Sequence, residues 1–121
     1  MNYYLDERLA KNFRKEMKEE TKRISKRISE KIHEIDPAAR VILYGSRARG
    51  EERKDSDWDI LVLTDYPVDI QAERIFRNHL YELELTLEEA FSLFVYSKEQ
   101  WESKQRITPF YQFVEAEGVT I

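Results

Sequence analysis

The chain has 121 residues, of which 41% are hydrophobic and 36% are charged, and its mean hydropathy is -0.70. These values predict one globular domain and exclude a membrane protein, because no run approaches the roughly 18 apolar residues of a spanning helix. The absence of cysteine excludes disulfides and thiolate zinc sites, and a net charge of -4 argues against direct binding to nucleic acid.

The first predicted element is a leading helical segment. Apolar residues recur every three or four positions over residues 6–35, which indicates an amphipathic helix that ends before Pro37. Thr21 interrupts the apolar stripe, so one long helix and two shorter helices both fit it. The stripe also fits packing on a second copy of the chain, which leaves a homo-oligomer open. The charged N-terminus lacks the features of a secretory signal, so we expect a cytoplasmic protein.

Two strands flank a polar loop in the next part of the chain. Residues 41–44 are apolar, rich in β-branched side chains and followed by Gly45, which predicts a buried strand. The polar loop covers residues 45–56, and a second strand covers residues 57–64. Because side chains alternate along a strand, Asp57 and Asp59 lie on one face and Trp58 points to the core.

The remaining elements alternate between helix and strand. Asp69 is a helix N-cap, and the helix continues to about residue 84; a third strand follows over residues 90–96. A short helix covers residues 98–104, a capped helix starts at Thr108 and stops at Gly118, and residues 119–121 form a last strand. This order predicts an α/β (α+β) domain with a small mixed β-sheet flanked by helices. Its parts are the leading helical segment 1–37, the core 41–97 and the C-terminal segment 98–121.

The chemistry is expected where the first two strands meet. Backbone N–H groups of a glycine turn can bind phosphate, and the Ser46 hydroxyl beside Gly45 adds a donor. Asp57 and Asp59 offer the hard oxygen ligands that Mg²⁺ prefers, and two carboxylates on one strand face repel each other without a cation. Together these residues predict a site for a magnesium-bound phosphate compound.

These residues resemble a known signature. Gly45-Ser46, a ten-residue gap and then Asp57-Trp58-Asp59 resemble the DNA polymerase β-like nucleotidyltransferase superfamily, and Gly-Ser-Arg-Ala-Arg-Gly with Ser-Asp-Trp-Asp-Ile-Leu-Val resembles its minimal nucleotidyltransferase branch. The resemblance implies the nucleotidyltransferase fold over nearly the whole chain. It also implies an antitoxin whose partner is a HEPN-type toxin, and transfer of AMP from ATP to a hydroxyl of that partner.

The resemblance also assigns roles to individual residues. Asp57 and Asp59 would be the catalytic metal ligands of a two-metal Mg²⁺ site, and Gly45 and Ser46 would hold the nucleotide phosphates. The basic loop positions Arg47 and Arg49 would neutralise the triphosphate, as arginine side chains do for phosphates elsewhere. The residues to which the resemblance assigns a role are therefore Asp57, Asp59, Gly45, Ser46, Arg47 and Arg49.

The chain departs from the family pattern at one position. The superfamily has a third carboxylate on the next core strand, where this chain has Ser92, a neutral and poor ligand for Mg²⁺. Glu88 or Glu89 would replace it only if the strand shifts register. Two hypotheses therefore remain: an active nucleotidyltransferase, and an antitoxin of the same fold that neutralises its partner by binding alone. An aminoglycoside-modifying enzyme is disfavoured, since 121 residues leave no obvious second domain for an antibiotic.

Overall fold

The computed structural model describes residues 16–121, which form a mixed four-stranded sheet with helices on both faces. The strands are β1 (Arg40–Tyr44), β2 (Trp58–Thr64), β3 (Phe91–Ser97) and β4 (Val119–Thr120). The helices are α1 (Glu19–Ile35), α2 (Ser46–Arg49), α3 (Ile70–Leu87), α4 (Lys98–Glu102) and α5 (Pro109–Glu117), with a 3-10 turn at Gln105–Ile107. No helix within this part of the chain is both long and apolar enough to span a bilayer.

The sheet has the strand order β3-β2-β1-β4 and confirms the predicted mixed topology. β1 runs antiparallel to β2 and β4, whereas β2 and β3 are parallel and joined by the crossover helix α3. β2 is central and covered on both faces, which explains its unbroken apolar run. In the register of the sheet, Asp59 lies between Tyr44 on β1 and Ser92 on β3.

Helices cover the two faces of the sheet with separate hydrophobic cores. α1 and α3 pack on one face, where alternate residues of β2, starting with the fully buried Trp58, point toward them. This confirms the prediction that Trp58 is a core residue. α4 and α5 pack on the other face, the one that Asp59 shares. The buried residues of this second core are Ile42, Tyr44, Leu61, Leu63, Trp101 and Val114.

α1 is continuous from Glu19 to Ile35, and Thr21 does not break it. Thr21 is only 1% exposed, and its hydroxyl donates a hydrogen bond of 3.0 Å to the Glu52 carboxylate in the loop before β2. The hydroxyl group of this polar residue within the apolar stripe therefore has a hydrogen-bond partner that is distant in sequence. The predicted helical segment 6–15 lies outside the described residues.

Several element boundaries differ from the sequence-based expectation. Residues 16–18 are not helical, so α1 begins at Glu19, β2 begins at Trp58 and leaves Asp57 before the strand, and α4 ends at Glu102. The loop after β1 contains the short helix α2, whose four residues carry too little periodicity to be recognised. α3 continues to Leu87, past residue 84, and ends at Glu88 in a left-handed conformation with φ 55°. Its start is as predicted, since the Asp69 carboxylate accepts a hydrogen bond of 2.8 Å from the Ala72 N–H.

Candidate active site

The turn at Gly45 brings the end of β1 against β2. Gly45 has φ 78° and ψ -161°, a backbone conformation that only glycine adopts readily. A Cβ atom at this position would overlap a carboxylate oxygen of Asp59. Glycine is therefore required here both for the backbone conformation and for the close approach of the Asp59 side chain.

The structure places Asp59 against this turn and Asp57 near Asp59. Asp59 is partly buried within β2, and Asp57 is exposed just before the strand. Burial raises the pKa of the Asp59 carboxyl above its ordinary value of 3.8, and the negative charge of Asp57 raises it further. Arg49 lowers that pKa and Glu117 raises it, both to a lesser extent. The carboxylate pair is thus short of positive charge, which favours a bound cation.

Glu117 is a site residue that the sequence did not reveal. It is the last residue of α5, and one of its carboxylate oxygens accepts a hydrogen bond of 2.9 Å from the Gly45 N–H. The same carboxylate accepts bonds of 3.0 and 2.9 Å from Arg49 Nη1. No local motif marks Glu117, because its partners lie 72 and 68 positions earlier in the chain.

The two arginines of the loop have different environments. Arg47 is 7% exposed, and its guanidinium donates to the Ser56 carbonyl at 2.9 and 3.2 Å and to Glu89 at 3.4 Å. Its Cζ atom also lies 4.3 Å from the centre of the Trp58 ring. These contacts fix the loop before β2, whereas Arg49 is partly exposed beside Asp59. The nucleotide-binding role predicted for Arg47 stays a prediction.

The residue beside Asp59 on β3 is Ser92, as the sequence alignment predicted. Glu88 is exposed at the end of α3, and Glu89 precedes the strand and contacts Arg47. In this register neither glutamate takes the position of Ser92. Among residues 16–121, no three His, Asp or Glu side chains are grouped closely enough to hold a metal by themselves.

Aromatic side chains extend the sheet face next to the carboxylates. Phe94, two residues after Ser92 on β3, is 43% exposed, and Phe113 on α5 is 47% exposed. The ring centre of Phe110 lies 5.2 Å from that of Phe94 and 5.5 Å from that of Tyr44. Burial and the neighbouring Asp59 raise the pKa of Tyr44 well above its usual range, so its hydroxyl stays protonated.

Three solved structures of toxin-antitoxin complexes share this fold. A double Asp-to-Glu variant of the toxin-antitoxin MntA-HpeT is 20% identical, with a TM-score of 0.58, and the match covers 78% of this chain and 69% of that chain. A toxin-antitoxin with AMP-PNP is 22% identical, with a TM-score of 0.52 and coverage of 76% and 70%. A Tyr-to-Ala variant of MntA-HpeT is 21% identical, with a TM-score of 0.55 and coverage of 80% and 70%.

The family comparison is more direct than these likenesses of fold. No curated protein matches the chain significantly. The nucleotidyltransferase domain family, by contrast, matches residues 22–112. This match spans most of the chain and includes the Gly45 turn, Asp57 and Asp59, so the chain belongs to the nucleotidyltransferase domain family.

Proposed function

We propose that the chain is a Mg²⁺-dependent nucleotidyltransferase that transfers AMP from ATP to a hydroxyl of a partner protein. The observation that supports this proposal is the close approach of Asp59 to the Gly45 turn, with Asp57 near Asp59. The acceptor would be a HEPN-type toxin in the cytoplasm, and the chain would act as its antitoxin.

The residues of the site fit a magnesium ion. Asp57 and Asp59 supply hard oxygen ligands, and a cation would offset both the burial of Asp59 and the negative charge of Asp57, which raise the pKa of Asp59. With no third acidic side chain grouped with them among residues 16–121, the other ligands would be phosphate oxygens and water. When bound, Mg²⁺ would neutralise the charge of the triphosphate and of the leaving pyrophosphate.

The loop residues fit the phosphates of the nucleotide. The phosphate donors in this proposal are the N–H of Gly45, which lies against Asp59, the hydroxyl of the next residue Ser46, and the guanidinium of Arg49, which is partly exposed. In the reaction the acceptor oxygen bonds to the α-phosphorus, and the bond from that phosphorus to the bridging oxygen breaks. Pyrophosphate leaves with the bonding electrons, and the hydroxyl proton passes to solvent or to a carboxylate.

A protein acceptor is supported by the fold and by the surface beside the site. Solved structures with the same fold include toxin-antitoxin proteins, one of them with AMP-PNP. Exposed Phe94 on β3 and exposed Phe113 on α5 lie beside Phe110 and Tyr44, respectively, and Tyr44 is the neighbour of Asp59 in the sheet. Exposed aromatic side chains of this kind are enriched in protein interfaces.

Ser92 supports a second candidate function. Because the residue opposite Asp59 on β3 is neutral, the site has one carboxylate fewer than the family pattern for activating the acceptor hydroxyl. In this alternative the chain is an antitoxin that neutralises its toxin by binding alone, with or without a nucleotide.

Calorimetric titration with ATP and Mg²⁺ tests the site. We expect the wild-type chain to bind ATP only with Mg²⁺, and the double variant Asp57→Asn, Asp59→Asn to lose binding. Asp55→Asn is the matched control, because Asp55 is an exposed aspartate of the same loop. Equal binding by the double variant would contradict the metal site.

Co-expression with the toxin separates the two functions. An active transferase would add the mass of one or more AMP groups to the toxin, and the double aspartate variant would not. An unmodified but still neutralised toxin, with wild-type and variant chains alike, would establish the binding-only alternative.

A further inference from the structure

The carboxylate of Glu117 uses the donors that the proposed function assigns to the nucleotide. It accepts the Gly45 N–H at 2.9 Å and two contacts from Arg49 Nη1 at 3.0 and 2.9 Å. Two of the three phosphate donors that the proposed function names are therefore engaged within the chain itself.

A carboxylate and a phosphate compete for such donors because both are oxyanions. The Arg49 guanidinium pairs equally well with the oxygens of either group. The Gly45 N–H has one hydrogen to donate, so a phosphate oxygen in the same place must displace the Glu117 oxygen. The Glu117 side chain is 17% exposed and that of Arg49 is 37% exposed, which allows solvent and a ligand to reach the pair.

We propose that Glu117 is an internal competitor of the nucleotide, a carboxylate that must leave Gly45 and Arg49 before the triphosphate can bind. This inference depends on the proposed function, since it concerns the same phosphate site. It assigns a negative influence on ATP affinity to a residue of α5, which lies outside the signature loop and the two strands.

A purely structural role for Glu117 predicts the opposite effect on binding. If the contacts of Glu117 only held the loop in its binding conformation, their removal would weaken ATP binding. If Glu117 competes, its neutral variant Glu117→Gln binds ATP more tightly. Removing the competition of one partly exposed, charge-assisted hydrogen bond corresponds to an increase of about tenfold in the affinity for ATP.

The test is calorimetric titration of the full chain with ATP in the presence of Mg²⁺. We expect Glu117→Gln to bind about tenfold more tightly than the wild type. Glu117→Asp, whose carboxylate is withdrawn by one methylene, should also bind more tightly and provides a second variant if the first unfolds. Glu115→Gln is the control and should bind as the wild type does, because Glu115 on the same helix accepts a hydrogen bond from Trp101 Nε1.

The outcomes separate this inference from the proposed function. If the wild-type chain binds Mg²⁺ and ATP while folded Glu117 variants bind equally or more weakly, the competitor role is overturned and the proposed function stands. If neither the wild type nor the variants bind ATP, the proposed function fails and this inference fails with it. Thermal unfolding of each variant establishes that it is folded.

Discussion

The site contains more negatively charged carboxylates than positively charged side chains. Asp59 lies in a partly buried position beside Asp57, and the pKa of its carboxyl is raised as a result. Arg49 offsets part of this negative charge, but Arg49 is also paired with Glu117 and Glu51. Such an excess of carboxylates lowers the stability of the folded chain and favours the binding of a cation. This combination is common at functional sites.

Replacing Asp59 by asparagine should stabilise the fold at neutral pH. The raised pKa means that ionisation of Asp59 is less favourable in the folded chain, so this penalty is present at neutral pH. It disappears as the pH falls through the raised pKa to below the ordinary value of 3.8, where the carboxyl is protonated in both states. We expect an increase of about 2 °C in the unfolding temperature at pH 7.

Thermal unfolding between pH 7 and pH 3 measures this effect. The gain of Asp59→Asn over the wild type should shrink toward acidic pH, while exposed Asp55→Asn should show no such trend. A loss of stability at pH 7 for Asp59→Asn would contradict the assigned cause of the pKa shift.

Gly45 and Gly50 should differ in their response to alanine. Both have positive φ, 78° and 70°, but Gly45 lies in a region reserved for glycine, whereas Gly50 is in the left-handed helical region. We expect about 3 kcal/mol of destabilisation for Gly45→Ala and about 1 kcal/mol for Gly50→Ala.

Only the first of these variants should also lose binding of ATP with Mg²⁺, because its methyl group would displace Asp59. Urea unfolding gives the free energies, and calorimetry gives the affinities. Retained binding by a folded Gly45→Ala variant would show that the position of Asp59 tolerates this displacement.

At the level of elements, local signals and distant contacts explain different parts of the structure. The strands, the start of α3 at Asp69 and the start of α5 at Thr108 were predictable, because periodicity and capping residues are local. The proximity of Asp57 to Asp59 was predictable because the two residues are two positions apart, whereas their role as metal ligands stays a prediction. Glu117 was not predictable, because its place beside Gly45 depends on how α5 packs on the sheet.

The loop around α2 is another example of a structure that depends on contacts distant in sequence. Arg47 and Arg49 stand two positions apart and have the same chemistry in the sequence. Their different burial follows from Trp58 and Glu89 on one side and Glu117 on the other. Contacts between residues so distant in sequence leave no periodic pattern from which they could be predicted.

Lysine at these two positions should therefore have different effects. Arg47→Lys loses the forked contact with the buried Ser56 carbonyl and the packing over Trp58, and we expect it to cost about 2 kcal/mol of stability. Arg49→Lys should cost less than about 0.5 kcal/mol, because the pair is partly exposed. The second variant should instead weaken ATP binding about tenfold through loss of the guanidinium.

Each arginine variant is the matched control for the other. Urea unfolding and calorimetry on the same samples give both quantities. Equal losses of stability at the two positions would contradict the structural role of Arg47 in the loop.

In the molecule as a whole, the C-terminal segment completes both the sheet and the site. β4 pairs with the outer edge of β1, with Thr120 opposite Ile42 and Val119 opposite Leu43. The Ile121 N–H also donates to the Val41 carbonyl at 2.9 Å. Because Glu117 lies two residues before the start of this strand, the pairing of β4 holds the end of α5 beside the turn at Gly45.

Removal of residues 119–121 should destabilise the chain and expose the edge of β1. We expect a loss of about 2 kcal/mol, the sum of a few backbone hydrogen bonds at about 1 kcal/mol each. Amide hydrogen exchange of residues 41–43 should accelerate more than that of β2, which keeps partners on both sides. Val119→Thr, which changes an exposed side chain and keeps the backbone, is the control. Unchanged exchange at residues 41–43 would mean that the pairing of β4 does not stabilise the strand that leads into the site, and that α5 alone keeps Glu117 in place.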